Sequence, residues 1–252
     1  VDLGPDNLDA LCRESEALCR RVAPLDLGDR PLYVLPQSAL PAELAVSESC
    51  GGYTAERADL QLRPYLGDRW AGRGPLLVVN DLALRGAPPD MQPHCWDGIV
   101  LHELAHVLAE GWTGQADDPE ADAVEIRAKA LAMAASLRDT EAIRPALCPW
   151  RWHELHFLRA AAHVLHRARQ LGAACWAEHM VPDIYRVGPF FLYLREAAAE
   201  AAALADRAIG SILATPPPSG LRTLWEEAIA DFLNPKPRPW EAGSLARPPA
   251  TL

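Results

Sequence analysis

Three things are missing from this 252-residue sequence, and each absence removes a class of protein. The longest apolar runs, such as Gly188 to Leu194, meet a charge well before the roughly 20 residues that a bilayer span requires, so a soluble chain is expected. Basic residues are the minority, 24 Lys+Arg against 34 Asp+Glu for a formal charge of −10, and no basic stripe stands out. Phosphate affinity rests on clustered cations, so nucleic acid is not an expected partner. The six cysteines (Cys12, Cys19, Cys50, Cys95, Cys148 and Cys175) form no CxxC pair. Scattered thiols fit a reduced core better than a disulfide framework or a cysteine zinc site, which points to a cytoplasmic protein. The opening Val1-Asp2-Leu3-Gly4-Pro5-Asp6 has neither a basic start nor an apolar stretch, so no signal peptide is expected there; a leader already removed would leave the same opening.

What is present is a chain half hydrophobic and 23% charged, enough to bury a large core without covalent staples. Apolar spacing predicts a first helix from Asn7 to Val22, ended near Pro24, with Cys12 and Cys19 on its buried face. Short strands are expected at Pro31 to Pro36 and Pro75 to Asn80. Between them, Gly51 to Gly74 lacks a sustained period and reads as irregular or loosely helical. From Cys95 the pattern is helical almost throughout: Trp96 to Glu110, Pro119 to Leu137, Trp150 to Leu171, Phe190 to Leu213 and Leu221 to Leu233. The expected class is α+β and predominantly helical. A small α/β part (1–117) precedes a helical lobe (118–233) and a Pro-rich flexible tail (234–252), with one continuous domain as the alternative.

The chemistry is concentrated in Ile99-Val100-Leu101-His102-Glu103-Leu104-Ala105-His106-Val107-Leu108, an HExxH sequence with uncharged flanks. On a helix, His102 and His106 stand one turn apart on the same face, so both imidazoles can converge on one Zn2+ ion. Glu103 lies beside that face, positioned to take a proton from a water on the metal. The bland alternative is an amphipathic helix with core residues Leu101, Leu104, Ala105 and Leu108 and two incidental histidines. Burying two imidazoles without partners is costly, which favours the metal.

A catalytic zinc site generally has a third protein ligand. The metzincin spacing fails, because Ala109 and Trp112 occupy its glycine and histidine positions. The helix is expected to end at Gly111, and Asp118-Pro119 starts the next one. Glu120, Asp122 and Glu125 are the acidic candidates on that antiparallel neighbour. His106 lies about 7.5 Å back from Gly111 at 1.5 Å per residue, a depth that Glu125 matches best. Glu125 also shares a small-residue stripe with Ala121, Ala128, Ala132 and Ala135, whereas Glu120 sits in a first turn where acids complement the helix dipole.

His102-Glu103-Leu104-Ala105-His106, eighteen residues and then Glu125 is similar to the HExxH-x18-E pattern of gluzincin metallopeptidases, the aminopeptidase and thermolysin-like group. The resemblance covers about Leu76 to Leu137. It implies His102, His106 and Glu125 as zinc ligands and Glu103 as general base. It also implies a zincin-like fold: a small sheet whose edge strand lines the substrate cleft, then the HExxH helix, then a helical lobe. Strand Leu76 to Asn80 is the candidate edge. Val124 and Lys129 depart from the family, which often has Asn before the glutamate ligand and Asp four residues after it. Alignment of Pro119-Glu120-Ala121-Asp122 with the Glu-Ala-Asp segments of minimal HExxH proteases moves the ligand to Glu120 or Asp118 instead.

Other residues bear on the reaction less directly. Helical spacing puts His156 and His163, with Arg159 as a further candidate, along one side, a row that either faces the zinc cleft as hydrogen-bond donors or, in the favoured reading, belongs to a Trp-anchored helix with its polar histidines at the surface. His156, His179, Tyr185 and Tyr193 are candidate oxyanion or substrate contacts. His94 and Cys95 read as helix-start and core residues. The leading expectation is a single-zinc peptidase acting on a peptide or protein. The alternatives are a zincin-like metal-binding domain that acts by binding a partner, and a helical interaction protein without metal.

Overall fold

In the computed structural model the described residues are 5–44, 51–55, 62–110, 155–173, 175 and 190–233. The chain opens with helix α1 (Pro5–Val22), whose apolar face buries Cys12 and Cys19, and a short α2 (Pro24–Leu27). Strands β1 (Tyr33–Pro36), β2 (Gly52–Ala55) and β3 (Leu76–Val79) follow, with one-turn helices α3 (Arg63–Leu66) and α4 (Asp81–Leu84) between and after them. Then come the HExxH helix α5 (Gln92–Ala109), α6 (Leu155–Gln170), α7 (Phe190–Ala203), α8 (Ile209–Leu213) and α9 (Ser219–Leu233). Helix predominates among the described residues, beside one small sheet, as the α+β expectation has it. No described helix is long and apolar enough to cross a membrane.

The sheet order is β1-β3-β2, with β3 parallel to β1 and antiparallel to β2. This corrects two expectations. Leu76–Val79 is the central strand rather than the edge, and the segment expected to be irregular supplies β2 at the end of the sheet order. β3 reads as Leu-Leu-Val-Val because both of its faces are covered and all four side chains are buried. Such a run is the signature of an interior strand. β2 is four residues of Gly, Tyr, Thr and Ala, too short and too mixed to announce itself by period.

Alternation sorts the strand side chains onto two faces. Val34, Leu77 and Val79 join the large core around α5, while Tyr33, Leu35, Leu76 and Val78 form a second cluster with Leu40, Leu62 and Leu66. Thr54 pairs with Leu77 and Gly52 with Val79, so both look toward α5; Tyr53 joins the opposite cluster. The large core runs from Leu8 through Trp96, Leu101, Leu104 and Leu158 to Trp225. It therefore contains residues from both sides of the 117/118 boundary drawn from sequence.

Buried polar contacts fix the elements against each other. Trp96 Nε1 on α5 donates to Ser15 Oγ on α1 (2.8 Å), and Glu16 on α1 accepts from Val34 N (3.0 Å) and from Arg69. The helix expected to be continuous from Phe190 to Leu213 is broken after Ala203. Asp26, 5% exposed, accepts from the backbone N–H of Ile209 (2.8 Å) and Gly210 (2.7 Å), and Arg167 donates to the carbonyl of Arg207. These partners lie more than 35 residues away in sequence, beyond the reach of any local pattern.

Candidate metal centre

α5 begins with Pro93 in its first turn and ends where Glu110 N donates to His106 O (2.9 Å), with nine of its residues buried, including Leu101, Leu104, Ala105 and Leu108. Because apolar residues cover most of its circumference, the helix lies inside the molecule rather than on it. His102 and His106 are the partial exceptions, with side chains 12% and 13% exposed. Their Nε2 atoms are 3.2 Å apart. Two imidazole nitrogens bound at 2.0–2.1 Å to one tetrahedral zinc stand roughly 3.3–3.4 Å apart, so the pair fits a shared metal. A hydrogen bond between two neutral imidazoles has the same spacing, and metal content separates the two cases.

Glu103 is 5% exposed. Thr54 Oγ1, on β2, donates to its Oε2 at 2.7 Å, and its Oε1 lies 4.0 Å from His102 Nε2. One carboxylate oxygen is thus held by the sheet while the other is turned toward the histidine pair. Burial pushes the Glu103 carboxyl above its ordinary range; His106 and the Thr54 hydrogen bond pull it down, and Glu110 pushes it further up. Gly52 makes this approach of strand and helix feasible. A Cβ there would stand 2.5 Å from Val78 O, 2.9 Å from Ile99 Cγ2 and 3.3 Å from Glu103 Oε1.

Two further residues join the site that the sequence did not single out. Phe157 on α6 packs its ring against both imidazoles, with centroids 4.9 Å from His102 and 4.3 Å from His106. Glu110 Oε1 lies 3.7 Å from His106 Nδ1, one turn along the same helix. A carboxylate at that nitrogen favours the tautomer that leaves Nε2 free to bind metal. The i,i+4 spacing of His106 and Glu110 was a usable signal; nothing local marked Phe157.

No family model, curated protein or solved structure matches this chain. Among the described residues no group of three or more His, Cys, Asp or Glu side chains gathers to hold a metal. Glu125, its alternatives Glu120, Asp118 and Asp122, and also His153, His179 and Tyr185 lie outside the described residues. Tyr193 is on the first turn of α7.

The row on α6 divides. His156 is half-buried, and burial together with Arg159 lowers its imidazole pKa, so it is neutral at pH 7. His163 is not at the surface, contrary to the favoured expectation for the histidines: it is 0% exposed, and Arg159 beside it is 2% exposed. Both meet Glu200 of α7, Arg159 through Nε (2.8 Å) and NH2 (2.5 Å), and His163 through Nε2 (3.3 Å). Arg159 NH1 also donates to Thr215 O (2.7 Å). These contacts hold the Glu200 carboxyl down at about 2 despite its burial. The triad joins α6 and α7 to the turn after α8. Cys12 and Cys19 are buried free thiols, and burial pushes Cys12 up to about 12, as an inert core thiol requires. Cys95 lies in the first turns of α5 against the core, and His94 beside it, as expected.

Proposed function

We propose that this chain is a zinc-dependent peptidase of the gluzincin kind, with a zincin-like arrangement of sheet, HExxH helix and helical lobe. The observation that carries the reading is the pairing of two imidazole Nε2 atoms 3.2 Å apart with a buried carboxylate 4.0 Å from one of them. His102 and His106 hold the metal, with Glu125 as third ligand and Glu120 as the alternative. When bound, zinc supplies a Lewis acid that brings the pKa of water toward neutrality and polarises a carbonyl.

Glu103 acts as general base: its Oε1 takes the proton of the attacking water and passes it to the departing amine. Thr54 keeps Oε2 occupied, so the carboxylate cannot rotate away, and the proton is received at one defined oxygen. Glu110 orients His106 from behind. β2, antiparallel at the end of the sheet order and beside Glu103, is the natural strand for an extended peptide to lie against, since main-chain pairing needs only an edge. His156, Tyr185 and Tyr193 are the candidate donors to the carbonyl oxygen.

The test has two steps. Metal content of the purified protein is measured by plasma mass spectrometry beside a Glu125→Ala variant, where one zinc per chain, weakened in the variant, is expected. A quenched-fluorescence peptide library is then offered to the wild type and to Glu103→Gln, which should keep zinc and lose hydrolysis. Turnover in a zinc-loaded Glu103→Gln protein would refute the mechanism.

One observation favours a second reading. Glu103 is only 5% exposed and already bonded to Thr54, which suits a carboxylate that braces strand and helix in a metal-binding partner domain without catalysis. In that case zinc is present and neither protein cleaves the library.

A further inference from the structure

Resting on the zinc reading above, we infer that Phe157 is the positioning residue of the metal centre: its ring holds both imidazoles in the ligating orientation before the ion arrives. The imidazole torsion is broad, so helical spacing alone brings two rings near each other without fixing which edges meet. Here the rings lie edge to face, centroids 4.9 Å apart at 70°. Phe157 contacts both at once, tilted 32° to His106 and 58° to His102, and is itself 3% exposed.

The Phe157 ring arises from α6, which packs along α5, so a neighbouring helix rather than a local turn supplies the wall. A rotation of either imidazole would have to displace a ring locked in the core. The wall is also apolar, which keeps water off that flank of the ligands and strengthens the attraction between cation and ligand. Glu110 restrains one histidine through a polar contact; Phe157 restrains both through packing.

The expected consequence is in metal affinity, and no substrate is needed to read it. Zinc dissociation constants are measured by chelator competition for wild type, Phe157→Ala, Phe157→Leu and Leu165→Ala. Leu165 is also buried on α6, two turns further along, and its truncation controls for a general loosening of that helix. Phe157→Ala should weaken zinc at least tenfold beyond Leu165→Ala, with Phe157→Leu between it and wild type, because leucine restores the wall but not the planar contact. Should Phe157→Ala fail to fold, Phe157→Leu against Leu165→Ala decides alone.

Equal affinities in the Phe157 and Leu165 variants overturn the inference while leaving the zinc reading intact. A wild type that binds no zinc overturns both.

Discussion

Replacing Gly52 by alanine adds one methyl group at the tightest point between β2 and α5. The new Cβ would stand 2.5 Å from Val78 O and 2.9 Å from Ile99 Cγ2. An ordinary carbon–oxygen contact needs about 3.2 Å, so roughly 0.7 Å must be found by moving backbone, since the obstructing oxygen belongs to the central strand and cannot rotate aside. Overpacking of this kind costs about 1–3 kcal/mol, and a rigid backbone neighbour puts it at the upper end. Loss of glycine's freedom in the unfolded chain returns about 0.5–1 kcal/mol. The net expectation is a destabilisation of about 2 kcal/mol, or about 4–8 °C in the unfolding midpoint of a chain this size. Thr54 is two residues along the same strand face, so the shift also lengthens its hydrogen bond to Glu103. Thermal and urea unfolding of Gly52→Ala beside Gly86→Ala provide the assay, because a Cβ at Gly86 meets nothing closer than Ala83 O at 3.7 Å. Gly86→Ala should stay within about 0.5 kcal/mol of wild type. If Gly52→Ala is equally stable, the close approach of strand and helix is wrong.

Thr54→Val removes the donor to Glu103 while keeping the side-chain shape. A hydrogen bond to a charged group contributes about 1.5–3 kcal/mol, so hydrolysis should fall by roughly ten- to a hundredfold with zinc content unchanged, and Thr54→Ser should recover most of it. Glu200→Gln strips the buried charge from Arg159 and His163, and breaking such a pair costs about 3–5 kcal/mol by denaturant unfolding. The Glu200 carboxyl is held down at about 2 in the folded chain, so its stabilisation is full above pH 4.5 and is lost as pH falls from there toward 2. The Glu200→Gln protein should therefore show a flatter stability profile across that acidic range; an unchanged slope would discard the ion pair as its cause. Asp97 has the opposite sign. Burial pushes its carboxyl up to about 6, so the folded chain gains stability as pH drops from 6 to about 4. Asp97→Asn should be the more stable protein at pH 7, with the advantage gone below pH 4, as judged by melting temperatures across the range.

The elements that sequence resolved are those whose period repeats over several turns or whose strand is buried on both sides. α1, α5 and α9 fall within a few residues of their expected limits, because a helix records its buried face every three or four residues. β3 was visible as an apolar run, although its central position was not, since burial on both faces says nothing about which strands flank it. β2 was missed because four residues carry too little alternation to register. The break between α7 and α8 was missed for a different reason. The Phe190–Leu213 sequence is a good helix locally, and Asp26 and Arg167 override it from distant parts of the chain.

The site divides along the same line. His102, Glu103 and His106 were determined by the sequence alone, since three fixed positions on one helix need only the helical repeat to bring them onto adjoining faces. Their setting was not. The hydroxyl that holds Glu103 comes from Thr54, 49 residues earlier, and the ring that covers the histidines comes from Phe157, 51 residues after His106 (157 − 106). The row His156, Arg159 and His163 illustrates the limit further: helical spacing puts all three on one side of α6, yet Arg159 and His163 meet Glu200 of α7. Local spacing fixes which groups share a helix face, because backbone geometry is the same in every helix. Only tertiary packing decides what that face meets, because the partner is chosen by the burial of the whole core and leaves no local trace.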